Sequence, residues 1–356
     1  MIGHDVSFRF LPAKKPAHGA RPGGLSQSFH VSGAAQRLRT PSKSIHEGYV
    51  SFVNEATLLP GFRPHFAEID GVRTRYFLGG EGAPLTMVHG LGGAAVNFTK
   101  LAPILARKRR VLIPDLPGHG LSEPFEHVDG IATYSRHVHK VAQLEGMLPG
   151  AVLGYSMGGV VALRLAVEEP EDVTALALVA PAGIVSTTRR AEIWLAVTGA
   201  LRPAQVMTRF RGTFARRPRL RWLPFGLWGA AHPEALDPDA VIGFLEGPSQ
   251  HTDVGSAGRA LVRDDPRPDL DRVRCPAFLL WGSRDRLVPV GDGFEYARRL
   301  HAPIRVLPAA GHLIVGELPE LCADVLEDFL DRVGEVDELP LETELVRQLR
   351  RERADA

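Results

Sequence analysis

The chain has 356 residues, with 42 Lys and Arg against 41 Asp and Glu and a net charge of +1, so charge gives no general argument for nucleic-acid binding. With 44% hydrophobic and 23% charged residues, the composition argues against both wholesale disorder and a membrane-embedded chain. Two distant cysteines, Cys275 and Cys322, offer neither a C-x-x-C spacing nor a disulfide framework, which makes a reducing, cytoplasmic compartment the default expectation.

Residues 1–47 are rich in Gly, Pro, Ser and Ala and carry seven basic residues against Asp5 and Glu47. They read as a disordered basic tail, and their first residues, Met1 to Pro16, lack the continuous apolar stretch of a secretory signal. A transit peptide would share the basic, acid-poor composition, so organelle import stays open. From about Phe66, short apolar runs alternate with longer amphipathic ones. Strands are expected at Val72–Phe77, Leu85–Val88, Val111–Pro114, Val152–Tyr155, Ala175–Val179, Ala277–Trp281 and Ile304–Leu307. Near-continuous apolar runs such as Ala277-Phe278-Leu279-Leu280-Trp281 are typical of strands covered on both faces. Helices are expected around Val138–Met147, Met157–Glu168, Phe294–Leu300 and Leu318–Val333, so the pattern predicts an α/β fold with a doubly wound, mostly parallel sheet.

The alternation lapses between about Ile184 and Leu261, where helix-like material (Ile193-Trp194-Leu195-Ala196-Val197) is broken by Pro218, Pro224, Pro233, Pro238 and Pro248. That stretch reads as an inserted, mainly helical cap. The expected organisation is a tail at 1–47, a core at 48–183 and 262–333, a cap at 184–261, and a charged helix or tail at 334–356.

The chemistry starts at Gly154-Tyr155-Ser156-Met157-Gly158, where one serine stands between two glycines at the junction of a strand and a helix. The small neighbours let strand and helix pack closely enough to expose a hydroxyl on a sharp turn. A serine hydroxyl is a poor nucleophile at neutral pH and needs a histidine to take its proton and a carboxylate to orient that histidine. Downstream, Asp285 lies in a loop directly after a buried-type strand, and His312 follows Gly311 in the loop after Ile304–Leu307. Asp264, Asp265, Asp269 and Asp271 are rivals for the acid, but they sit in a Pro-rich charged linker that reads as solvated. Oxyanion donors are expected from the Met157 backbone N–H at a helix start and from the Leu91 N–H in the loop His89-Gly90-Leu91-Gly92-Gly93. His89 more naturally anchors that loop than transfers protons.

At this point the chain resembles the α/β-hydrolase fold superfamily over roughly Phe66 to Val333. The matching motifs are His89-Gly90-Leu91-Gly92-Gly93, Asp115-Leu116-Pro117-Gly118-His119-Gly120-Leu121-Ser122, Gly154-Tyr155-Ser156-Met157-Gly158-Gly159, Trp281-Gly282-Ser283-Arg284-Asp285 and Gly311-His312. Each is weak alone; the specificity lies in their order and in the elements that carry them. The resemblance implies Ser156 as nucleophile, His312 as base and Asp285 as orienting acid, with a cap where the alternation lapses. A serine at the elbow disfavours the epoxide hydrolase and haloalkane dehalogenase branches, which place an aspartate there.

The expected function is a cofactor-independent serine hydrolase that cleaves a carboxylic ester, with an apolar acyl substrate as small-molecule partner. Candidate pocket residues are His89, Gly90, Asn97, Tyr155 and Leu313. A carbon–carbon bond hydrolase of ring-fission products is the alternative, because Asn97-Phe98 is similar to an Asn-aromatic pair in that branch. Tyr155 and Leu313 depart from it, standing where those enzymes carry Asn and Trp. A non-catalytic hydrolase-like receptor is a rival from another class. No metal is called for, since His137 and His139 are two apart on a helix and do not face each other. Asp115 and His119 read as turn-stabilising, and Cys275 and Cys322 as core. Seven arginines between Arg202 and Arg221, with no acid among them, read as a solvated cap face; the functional reading is contact with an anionic lipid surface or an anionic substrate.

Overall fold

The computed structural model describes residues 59–184, 203–226, 229–247 and 252–333. The expected basic tail at 1–47, the charged segment at 334–356 and the helix-like run at 193–197 lie outside the described residues. Eight strands form one sheet: β1 (Phe62–Ile69), β2 (Val72–Gly79), β3 (Ala83–Val88), β4 (Arg109–Pro114), β5 (Gly150–Tyr155), β6 (Val173–Val179), β7 (Ala277–Gly282) and β8 (Ile304–Leu307). Their order is β1-β2-β4-β3-β5-β6-β7-β8. The β1–β2 and β2–β4 pairs are antiparallel and every other pair is parallel.

The period of two along each strand divides the core into two layers. In β5, Ala151, Leu153 and Tyr155 join one apolar cluster and Val152 the other; in β7, Phe278 and Leu280 join the first, and Ala277, Leu279 and Trp281 the second. Burying both faces explains why these strands read as continuous apolar runs. Among the described residues, helices α1 (Ala102–Leu105), α2 (Ile131–Leu144) and α3 (Met157–Glu168) lie between strands of the first part. In α3 every residue from Met157 to Val167 is buried except Arg164, which pairs with Asp264 and Asp269. The linker read as solvated is so in part only: Asp264 and Asp269 are largely covered and clamp Arg164, while Asp265 and Asp271 remain at the surface.

The first strand is absent from the expectations above. β1 is an edge strand whose side chains alternate between exposed and half-buried, so it has no apolar run to mark it. Its signal is the Asp70-Gly71 pair at the hairpin turn, where both residues have positive φ (50° and 79°) and Ile69 faces Val72. The expected helix at Val138–Met147 begins earlier, at Ile131, and ends at Leu144, because the apolar face of α2 already starts at Ile131 and Tyr134.

Between β6 and β7 the described residues contain short helices and no strand: α4 (Pro203–Thr208), α5 (Arg211–Arg216), α6 (Trp222–Phe225), α7 (Pro238–Glu246) and α8 (Val254–Arg263). Phe214, Phe225, Val241 and Phe244 from these helices join the same apolar cluster as Leu313 and Ile314. The chain then resumes alternation with α9 (Val290–Leu300), α10 (Ile314–Glu317) and α11 (Pro319–Arg332).

Candidate active site

Loops at the carboxyl ends of β5, β7 and β8 bring Ser156, Asp285 and His312 together, the edge where side chains of a parallel sheet converge. Ser156 sits at φ 55° and ψ −120°, a conformation that a residue with a side chain adopts only when its surroundings impose it. The backbone does so: Ser156 N–H donates to Val179 O at 3.0 Å, and Ser156 O accepts from Gly159 N at 2.9 Å and Ala182 N at 3.1 Å. The flanking glycines are set by contact. A Cβ on Gly154 would lie 2.3 Å from Gly158 O, and one on Gly158 would lie 2.1 Å from Val88 O.

His312 Nε2 stands 3.0 Å from Ser156 Oγ, and His312 Nδ1 stands 2.7 Å from Asp285 Oδ2. The other carboxylate oxygen, Oδ1, accepts from Leu287 N at 2.9 Å and Val288 N at 2.8 Å. Asp285 thus has a fixed orientation. With Nδ1–H donated to Asp285, the Nε2 lone pair faces the serine hydroxyl. All three side chains are buried. The two downstream loops interlock, since Arg284 N–H donates to Ala310 O at 2.8 Å and Ala309 N–H to Ser283 Oγ at 3.0 Å. Trp281 braces the acid loop from below, its Nε1–H donating to Val288 O at 3.0 Å.

The loop after β3 lies against the serine: a Cβ on Gly90 would be 3.0 Å from Ser156 Cβ. His89 is fully buried beneath it. Its Nε2 accepts from Leu116 N at 3.0 Å, so Nδ1 carries the proton and donates to Gly90 O at 2.9 Å. In a trans peptide C=O and N–H point in opposite directions, so holding the Gly90 carbonyl on His89 turns the Leu91 N–H away from it. His89 and Gly90 belong to the loop's scaffold. The second motif supports the same loop. Asp115 Oδ1 accepts from Ala95 N at 2.8 Å and Oδ2 from Arg75 Nε at 2.5 Å, and both side chains are almost fully enclosed. Burial alone would raise the Asp115 pKa, but Arg75 and the backbone donors hold it below the usual carboxylate value. His119 packs against His89 with ring centroids 5.3 Å apart, and burial lowers its pKa to about 3.

Three pocket candidates have other commitments. The Tyr155 hydroxyl donates to His312 O at 2.9 Å and its buried ring lies against the imidazole, so Tyr155 fixes the histidine backbone. Asn97 Oδ1 accepts from Ala94 N at 3.3 Å and its amide donates to Gly243 O at 3.4 Å, which joins the loop after β3 to α7. Leu313 N–H donates to Gly229 O at 3.0 Å, within the inserted segment. A residue passed over in the sequence completes this join. Glu317 Oε1 accepts from Gly311 N at 2.9 Å and Oε2 from Ala231 N at 2.8 Å, so one carboxylate holds the residue before His312 and the insertion together. Its only sequence signal is a lone acid at the end of an apolar stretch after Gly311-His312. Burial raises its pKa, partly offset by the N–H groups of Ala231, Gly311 and His232.

The arginine run also divides. Arg202 lies outside the described residues. Arg221 is buried and donates to the carbonyls of Phe214, Ala215, Glu234 and Leu236, and Arg211 pairs with buried Glu246 at 2.5 Å. These two are internal staples, whereas Arg209, Arg216, Arg217 and Arg219 are exposed. Among the described residues, His139, Glu169 and Asp172 form the one group of metal-competent side chains, with ligand atoms within 4.8 Å of one another. His139 Nε2 already meets Asp172 Oδ2 at 2.7 Å, and Asp172 O binds Gly150 N at the amino end of β5, opposite the serine edge. His137 turns instead to Thr74 Oγ1 at 2.8 Å. Burial raises the thiol pKa of Cys275 to about 11 and pushes that of Cys322 up as well.

A mostly parallel eight-stranded sheet with a serine elbow after β5 and with acid and histidine loops after β7 and β8 defines an α/β-hydrolase fold. The chain belongs to the alpha/beta hydrolase family, whose model matches residues 87–325. It is 33% identical over 270 residues to the dihydrolipoyllysine-residue acetyltransferase component of the acetoin cleaving system of Pseudomonas putida, covering 73% of this chain and 67% of that protein. It is 32% identical over 235 residues to the pimeloyl-[acyl-carrier protein] methyl ester esterase of Chromobacterium violaceum, covering 65% of this chain and 88% of that one. Among solved structures, a putative lipase from Acinetobacter baumannii superposes with a TM-score of 0.63 at 20% identity, over 77% of this chain and 93% of the lipase. Among the described residues, no helix is long and apolar enough to cross a membrane.

Proposed function

We propose that this chain hydrolyses carboxylic esters through an acyl-enzyme formed on Ser156. The observation that carries the reading is the hydrogen-bonded chain from Ser156 Oγ through His312 to Asp285, buried at the carboxyl edge of the sheet. His312 Nε2 takes the hydroxyl proton as Ser156 Oγ bonds to the ester carbonyl carbon. Asp285 holds the imidazole in the required tautomer and stabilises the imidazolium that forms. The oxyanion is received by the Met157 N–H, which has no intrahelical acceptor at the first position of α3, and by the Leu91 N–H that His89 orients. The imidazolium then gives its proton to the leaving alkoxide. A water, deprotonated by His312, attacks the acyl carbonyl, and Ser156 regains its proton as the acid departs.

The inserted helices act as a cap over this edge, a role supported by the contacts of Gly229, Ala231 and Gly243 with the oxyanion and histidine loops. The apolar side chains that those helices share with Leu313 and Ile314 favour an apolar acyl group. Similarity to a methyl ester esterase supports ester over carbon–carbon cleavage. So does Asn97, whose amide is engaged by Ala94 and Gly243. The reading is tested with p-nitrophenyl esters graded by acyl length and charge, with a dienoate ring-fission product included. Turnover of apolar esters, lost in Ser156→Ala, is expected. Turnover of the dienoate alone would shift the reading to carbon–carbon cleavage, and tight ligand binding without turnover would make the chain a receptor.

A further inference from the structure

From Ile193 to Pro233 the chain contains no Asp or Glu and seven arginines. The described part of this stretch, α4 to α6, is two-sided. Its inner side carries Phe214, Ala215, Pro224 and Phe225, with Arg221 binding four backbone carbonyls, and it packs into the core. Its outer side carries Val206, Phe210, Trp222 and Leu223, which are 56%, 53%, 54% and 57% exposed. No other described stretch of this length gathers four of the nine exposed large apolar residues. The four exposed arginines, Arg209, Arg216, Arg217 and Arg219, lie among them, and among the described residues none is paired with a carboxylate. The bonds from Arg221 to Phe214 and Ala215 hold the start of α6 against α5, so the stretch that carries these side chains is folded back on itself and not extended as a strap.

An apolar side chain left half exposed has a cost in water, and four in one strip call for a partner that accepts both hydrocarbon and cation. We propose that the outer surface of α4 to α6 docks onto an anionic lipid bilayer. The aromatic and aliphatic side chains would enter the boundary between headgroups and acyl chains while the arginines meet lipid phosphates. Charge decides the partner: a soluble apolar ligand has no use for four exposed guanidinium groups, and a neutral bilayer leaves them unmatched. None of these side chains belongs to the Ser156–His312–Asp285 chain, so this inference does not depend on ester hydrolysis.

The test is co-sedimentation of the full chain with phosphatidylcholine vesicles, without and with about one third phosphatidylglycerol, at low and high salt. Binding to the anionic vesicles is expected, weakened by salt, with little binding to the neutral ones. The triple variant Arg216→Glu, Arg217→Glu, Arg219→Glu should lose at least roughly tenfold in partition. Phe210→Ser with Leu223→Ser should lose binding without changing its salt dependence. The far-UV circular dichroism spectrum and melting temperature, measured in parallel, should be unchanged in both variants, which shows that they fold and keeps this proposal distinct from the catalytic one. Unaltered binding of the triple variant would assign the affinity to the basic residues of 1–47 and overturn the proposal. Equal binding to neutral vesicles, or retention on heparin with none on vesicles, would overturn it as well.

Discussion

The serine edge of the sheet and the outer surface of the inserted helices have opposite designs. At the edge, nearly every polar group has a fixed partner: Asp285 accepts two backbone N–H groups besides His312, and Tyr155 and Glu317 fix the main chain on both sides of the histidine. At the insertion, the inner side is stapled by Arg221 and Arg211, while the outer side leaves cations and aromatics to solvent. The difference separates a region whose polar groups are fixed from one whose cations and apolar side chains are exposed, and it predicts unequal sensitivity to substitution.

The largest effects should fall on the edge. His312→Ala is expected to lower kcat for a soluble ester by roughly 10⁵-fold or more. Asp285→Asn, which keeps the shape and loses the tautomer, should cost about 10⁴-fold. Both are read in steady-state assays, and a loss below tenfold for either would remove that residue from the reaction. Gly158→Ala puts a Cβ into Val88 O, and thermal unfolding should show a loss of about 3 kcal/mol or more. An unchanged melting temperature would mean that the elbow relaxes more readily than its contacts imply.

Acid should lower the stability of the fold through two buried histidines. Burial lowers the His119 pKa to about 3 and the His137 pKa to about 4, both below the ordinary 6.5, so each is neutral when folded. The unfolded chain binds the extra protons, so this stability is complete above about pH 6.5 and is lost as pH falls toward those lower values. At pH 5 the loss is about 2 kcal/mol for each imidazole. Denaturant midpoints should fall between pH 7 and pH 5, and a flat profile would contradict the buried neutral assignment.

Glu317→Gln leaves one of two buried N–H groups without its acceptor and should loosen the histidine loop. A fall in kcat of roughly tenfold with KM little changed is expected; a change in KM alone would limit Glu317 to holding the inserted segment at Ala231. Smallest of all, Arg219→Glu on the outer surface should alter stability by less than about 0.5 kcal/mol. A large loss there would erase the contrast between the two regions.

The sheet was legible where burial on both faces writes an apolar run, as in β5 and β7, and α3 was bounded correctly because the elbow marks its start and Glu168 its end. β1 was not, since an exposed edge strand lacks that run and only Asp70-Gly71 marks its turn. The residues of the serine edge were readable because close backbone approach demands glycine at 154 and 158, which leaves a pattern in the chain. For Asn97 and Tyr155 the sequence gives closeness to the serine but not the partners that take their polar atoms, Ala94 and Gly243 for the first and His312 O for the second. Glu317 was missed for the same reason, since its partners Gly311 and Ala231 are far apart in sequence. The arginine run looked uniform, yet Arg221 is a core staple and Arg219 a surface cation, a distinction set by which carbonyls the chain brings within reach.

The most direct test of the central claim is covalent labelling with a fluorophosphonate, followed by mass mapping of the modified peptide. One adduct on Ser156 is expected, absent in Ser156→Ala and much slowed in His312→Ala. No adduct, or an adduct on another serine that persists in Ser156→Ala, would contradict the account.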